Sequence, residues 1–169
     1  IRKISSNPSE AQTGQMWYNT TVSGLKALAI SEAWASGGPM ITARTGLASA
    51  GTQTANVFIG GQMSNSPNAP LNTVELYNGT SWSDTGHDVP TALDRNGATG
   101  TSTAAMTGGG RAPSATNAFN IYNGSSWTSI TNYPASGYHF HLQGPYTDVI
   151  ASGGYPLNTN ANWWDGTSW

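Results

Sequence analysis

The sequence predicts an all-β fold of the β-propeller type, built from four-stranded antiparallel repeats of which three are visible. Three observations carry that prediction. The hexapeptide Tyr77-Asn78-Gly79-Thr80-Ser81-Trp82 returns as Tyr122-Asn123-Gly124-Ser125-Ser126-Trp127 and, altered, as Trp164-Asp165-Gly166-Thr167-Ser168-Trp169. Its closing tryptophan falls at Trp34, Trp82, Trp127 and Trp169, in steps of 48, 45 and 42 residues. A glycine doublet recurs at Gly60-Gly61, Gly109-Gly110 and Gly153-Gly154, each pair nine residues after a lone glycine at Gly51, Gly100 or Gly144. Strand and turn signals repeating at such a period match one propeller blade per repeat.

The chain divides into a leading segment, residues 1–33, and three repeats at 34–82, 83–127 and 128–169. Residues 1–15 are polar and read as a linker or extended arm. Met16 to Thr21 reads as a strand entering a turn, with Val22 to Ile30 as its partner, like the second half of a blade. In the first repeat, Ala48-Ser49-Ala50 is a small-residue inner strand suited to crowding near an axis. Val57-Phe58-Ile59 is the most apolar strand and central in the blade. Val74 to Tyr77 alternates, which predicts a half-exposed strand. The second repeat keeps this design with Ala104 to Thr107 as its second strand. The third departs most, since its first strand reads Tyr138-His139-Phe140-His141-Leu142. Asn-Gly and Asp-Gly predict two-residue hairpin turns with both residues at positive φ. That turn role also accounts for the Asn-x-Thr/Ser matches at Asn19, Asn78 and Asn123.

Composition narrows the function classes. Charged residues are 8% of the 169 and the net charge is −2. The six cations are scattered, so no basic patch points to nucleic acid. There is no cysteine, which excludes disulfides and thiolate metal sites. No apolar run approaches membrane-spanning length, so no membrane insertion is predicted. The chain starts at Ile1 and stops on a closing tryptophan, which reads as a piece of something longer or a processed product. Three blades alone leave an open edge. The expectation is completion by further repeats or by other chains, as a homo-oligomer.

Repeat length varies at one place. From the second glycine of each doublet to the aromatic is 16, 12 and 10 residues, so Gln62–Leu71, Arg111–Ser114 and Tyr155–Leu157 gather the insertions on one face. In repeat folds such a face often binds partners. The candidate contact residues are Arg111, Tyr133, His139, His141 and Tyr155, with Asn65 in the longest loop. His139 and His141, two apart on a predicted strand, would put both rings on one face. A lone His-x-His brings too few ligands for a metal from one chain, so no metal and no cofactor is predicted. Asp84, Asp88 and Asp94 with His87 are the nearest thing to an acid/base group. They lie in the segment after the repeat tryptophan, where polar side chains solvate a turn, and no enzyme activity is predicted.

The doublet, the strand aromatic and the tryptophan on this period resemble the kelch repeat over residues 34–169. That resemblance implies that Gly60, Gly61, Tyr77 and Trp82, then Gly109, Gly110, Tyr122 and Trp127, then Gly153, Gly154, Trp164 and Trp169 pack between blades. Trp164 departs from the pattern, standing where a tyrosine is usual. Trp34 to Gly38, Thr42-Ala43-Arg44, Gly51 to Ala55 and Tyr77 to Trp82 are similar to kelch-like arrays in structural proteins of marine bacteriophages, tail fibres in particular. Asn7 to Glu10 and Gly14 to Thr21 resemble the segment leading into such arrays. The resemblance implies a virion structural protein, a tail fibre or appendage whose repeats meet a host cell-surface glycan or protein, with other virion proteins as partners and a trimer as one possible assembly. A capsid or neck decoration protein, and a cellular kelch module for protein contacts, are the alternatives.

Overall fold

A computed structural model describes residues 1–10, 14–28, 37–63, 69–111, 113–156 and 159–169. Trp34, the first repeat marker, and Asn65 lie outside them. The chain forms two compact units, Ile1–Ser36 and Gly37–Trp169. The described residues contain strands and no helix.

In the first unit, β1 (Arg2–Ile4) pairs parallel with β2 (Met16–Asn19), and β2 pairs antiparallel with β3 (Gly24–Ala27). The opening residues are thus not a free arm. Arg2-Lys3-Ile4 finds backbone partners along the β2 edge, and the Thr20 N–H and Thr21 hydroxyl donate to the carbonyls of Ile4 and Ser5. Asn19 holds the β2–β3 turn, its side-chain oxygen accepting from the N–H groups of Thr21 and Val22.

The second unit is a series of blades. β4 (Ala48–Thr52), β5 (Ala55–Ile59), β6 (Val74–Tyr77) and β7 (Trp82–Asp84) form one four-stranded antiparallel sheet. β8 (Gly97–Thr101), β9 (Ala104–Gly108), β10 (Phe119–Tyr122) and β11 (Trp127–Ser129) form the second. The third has three strands, β12 (His141–Gln143), β13 (Val149–Ser152) and β14 (Ala161–Trp164), where four were expected. β7 and β11 both start at the closing tryptophan, and in the third repeat that tryptophan is the last residue. The innermost strands β4, β8 and β12 are neighbours in turn, β8 touching both others. Small residues permit that approach: a Cβ on Gly97 of β8 would lie 2.7 Å from the Phe140 carbonyl oxygen.

Period-two alternation sends opposite faces of each sheet to opposite neighbours. Val57, Ile59 and Val74 of the first blade pack with Ala105 and Tyr122 of the second. Met106 and Phe119, on the opposite face of β9 and β10, turn to the third blade and meet Leu142, Val149, Ala151 and Trp164. Two cores therefore lie between three sheets, one aliphatic and one aromatic.

The predicted half-exposed strand β6 is instead buried at Glu75, which is 2% exposed. Its carboxylate pairs with Arg44, whose side chain is fully buried, and accepts the N–H groups of Ile41 and Thr42, each at 3.0 Å. Arg44 also donates to the carbonyls of Gly60 and Thr73. A sequence alternation cannot report that a cation from another segment will cover the polar position.

The hairpins differ from expectation too. Tyr77 pairs with Trp82 and Tyr122 with Trp127, so the loops have four residues and not two. Only the glycine takes positive φ, at 92° for Gly79 and 95° for Gly124 and Gly166. Asn78, Asn123 and Asp165 act through their side chains. Each side-chain oxygen accepts the N–H groups two and three residues on, at 2.8–3.0 Å. Such a side-chain cap mimics a backbone turn. Each closing tryptophan then bonds to the segment that enters its own blade. The indole N–H of Trp82, Trp127 and Trp169 donates to the carbonyls of Gly38, His87 and Thr131, at 2.7, 3.0 and 3.0 Å.

Candidate functional site

The glycine doublets build the opposite end of the blades. Both glycines of every doublet have positive φ, a backbone state that costs other residues. The second glycine donates across to the next blade, Gly61 to Leu93 and Gly110 to Gly137, each at 2.8 Å. A Cβ on Gly110 would sit 2.8 Å from the Asp94 carbonyl oxygen, so the close approach requires glycine there. The residue after each doublet, Gln62, Arg111 or Tyr155, forms an antiparallel bridge with Thr45, Asp94 or Tyr138. One residue on comes a left-handed position, Gly46, Arg95 or His139, at φ 65°, 56° and 62°. These three are linked: the Arg95 N–H donates to Gly46 and the His139 N–H to Arg95, at 2.6 and 2.8 Å. The backbone thus repeats threefold while the side chains it presents change completely from blade to blade.

Those side chains form one cluster. Arg111 grips the buried Asp94 with two bonds, Nε to Oδ1 at 3.1 Å and Nη2 to Oδ2 at 2.9 Å, and Nη2 also reaches Gln62. Its hydrogen bond to Asp94 raises the guanidinium pKa above its ordinary value. Arg95 lies 3.8 Å from the same Asp94 oxygen, and its Cζ stands over the Tyr138 ring at 5.7 Å from the centroid. Tyr138 is flanked by His139, in edge contact at 5.2 Å, and by Tyr155 at 4.9 Å. Tyr155 is 55% exposed and His139 is exposed.

Of the predicted contact residues, Arg111, His139 and Tyr155 meet here, and Arg95 and Tyr138 join them. Arg111 spends its fork on Asp94. Tyr133 does not belong to the surface. It is 1% exposed, packed on Phe119, Phe140 and Trp169, and its hydroxyl accepts from Asn162 at 2.7 Å. A segment without strand propensity still crosses a core when aromatics close around it. The His-x-His strand is also corrected. His141 lies exposed in β12, whereas His139 turns at φ 62°, which breaks the alternation that would have aligned the two rings. Phe140 at 5% exposed takes the interior position between them. Asn65 and Leu157 lie outside the described residues. Arg95 was legible only as a scattered cation, and Tyr138 as part of a strand; the register of the doublet loop gives both their place.

Two of the acidic residues weighed for catalysis, and the histidine among them, have defined neighbours. Asp94 holds Arg111, Asp84 accepts the Gly86 N–H at 2.9 Å, and His87 Nδ1 lies 3.2 Å from the Tyr122 hydroxyl. Burial raises the Tyr122 phenol pKa. Among the described residues no three His, Cys, Asp or Glu side chains gather as metal ligands.

The class defined by these observations is an all-β protein with blade-like four-stranded antiparallel sheets in a propeller-like series, whose doublet end displays a tyrosine, arginine and histidine cluster. No family model matches the chain, and no curated protein is similar to it at a significant level.

Proposed function

We propose that the chain is a kelch-like part of a bacteriophage virion appendage, a tail fibre or equivalent, that binds a host-surface glycan or protein through its doublet-end loops. One observation carries the binding part of this reading: Tyr138, Tyr155, Arg95 and His139 are grouped on a loop face while the backbone beneath them is held in a repeated geometry. Rigid tyrosine rings and arginine are the side chains that dominate recognition surfaces. Several copies per particle would turn modest contacts into avidity. The virion part rests on the sequence resemblance.

An antibody against residues 37–169 applied to source particles tests location. Label at tail or fibre tips is the expected result. Label spread over the head makes this a decoration protein, and absence of label from every particle rejects the virion reading. Host-cell binding by the purified protein tests recognition. Tyr155→Ala is expected to lower cell binding by about thirtyfold, the loss of about 2 kcal/mol that marks a hot-spot residue. Unchanged binding would place the contact elsewhere.

A further inference from the structure

The charge balance at the doublet end narrows the ligand, on the condition that this face is the binding face. Asp94 is buried, and its two oxygens are taken by the Arg111 fork. That pair is internally neutral. Arg95 touches Asp94 only through its Nε at 3.8 Å, and its side chain is 35% exposed. Among the described residues of the cluster one positive charge therefore remains in excess, although the chain as a whole carries −2. The same Tyr138 ring neighbours both the Arg95 guanidinium and the Tyr155 ring.

An exposed tyrosine and a part-exposed guanidinium that share one tyrosine ring as neighbour have a matching ligand chemistry. Sugar C–H faces stack on the ring, and a planar carboxylate or a sulfate takes paired N–H bonds from the guanidinium. We infer that the doublet face binds an acidic saccharide, with a sugar ring on Tyr155 and the acid group at Arg95. Backbone conformation supports a dedicated role for Arg95. It occupies a left-handed position, at φ 56°, where the first repeat has Gly46. Nothing in the turn itself demands a long cation there.

The test uses the whole chain and three defined probes: a uronate oligosaccharide, its carboxyl-reduced neutral form and a sulfated counterpart, titrated calorimetrically. The acid form is expected to bind about tenfold or more tighter than the neutral form, the margin of one charge-assisted hydrogen bond. The preference should shrink at about 0.5 M salt, where screening is strong. Uronate against sulfate tells which acid group is used. Arg95→Asn, chosen because Asn tolerates left-handed backbone, should abolish the preference by weakening the acid forms more than the neutral form. Arg95→Lys should keep part of it. Tyr155→Ala should weaken both forms, with far-UV dichroism and thermal midpoint checked for each variant. Equal affinity for acid and neutral forms, no affinity for any of the three, or an acidic peptide bound more tightly through Arg95 would each overturn the inference. A protein that adsorbs to host cells yet ignores saccharide charge overturns this inference alone. One that adsorbs to no cell overturns the binding function beneath it.

Discussion

The two ends of the blades are built on opposite logic. At the hairpin end the same chemistry appears three times: a capping Asn or Asp, one left-handed glycine, and a tryptophan whose indole N–H bonds the segment entering its blade. At the doublet end the backbone repeats just as faithfully, but the corresponding positions read Gln62, Arg111 and Tyr155, then Gly46, Arg95 and His139. Identical side chains on a repeated backbone mark positions that the fold needs. Different side chains on a repeated backbone mark positions that the fold leaves open. The hairpin end is therefore where substitutions should cost stability, and the doublet surface is where they should cost binding.

The largest effect is expected beneath the surface, where a polar group was placed by the fold and not by the repeat. Glu75→Ala would leave the fully buried Arg44 without its counter-charge. Breaking a buried pair from one side costs about 3–5 kcal/mol. Urea unfolding should show that loss; a cost below about 1 kcal/mol would mean that water reaches Arg44 and that the burial of β6 is overstated.

Next comes the hairpin end. Asn123→Ala removes the acceptor for the Ser125 and Ser126 N–H groups. Both are solvent-exposed and water replaces part of the bond, so a loss of about 1 kcal/mol is expected. Asn78→Ala should match it closely, because Asn78 caps its turn with the same pair of backbone N–H bonds. Unequal losses would break the claim that the hairpins are equivalent. At the doublet surface, Tyr155→Ala should shift stability by no more than about 0.5 kcal/mol, while it weakens binding. A stability loss as large as that of Asn123→Ala would make Tyr155 a structural residue and undo the comparison.

The repeat was legible because glycine, tryptophan and Asn/Asp-Gly each report a local backbone requirement that spacing alone reveals. Strands β4 to β6 and β8 to β10 follow from that spacing with little shift. What spacing could not supply was anything settled by a distant partner. Glu75 looks like the polar half of an alternation until Arg44 arrives from another segment. Tyr133 looks like a loop aromatic until Phe119, Phe140 and Trp169 enclose it. The His139-Phe140-His141 alternation fails for a different reason: the left-handed turn belongs to the repeat, at the place held by Gly46, and a histidine there gives no sign of it. Arg111 and Tyr155 were legible as loop residues and His139 as a strand residue, but their convergence with Arg95 and Tyr138 depends on the bridge register after each doublet.

The smallest effect separates the third hairpin from the other two. Asp165 stands where Asn78 and Asn123 stand, and it carries a charge they lack. The Thr167 hydroxyl, then the backbone N–H groups of Ser168 and Thr167, stabilise the ionised carboxylate and lower its pKa from 3.8 to about 2. A depressed folded-state pKa means that the group's contribution is fully present above the unfolded value and is lost as pH falls through the folded one. The window lies between about pH 4 and pH 2. Above it the Asp turn and the Asn turns should behave alike, so Asp165→Asn is expected to be silent at neutral pH. Within the window the native chain should lose the third turn while the Asp165→Asn chain retains it. The Asp165 carboxyl carbon shift, followed by NMR against pH, measures this directly. A midpoint near 2 places the hydrogen bonds on the ionised form, and a midpoint near 4 would mean that the carboxylate caps nothing in solution and that only the asparagine turns are held from their side chains.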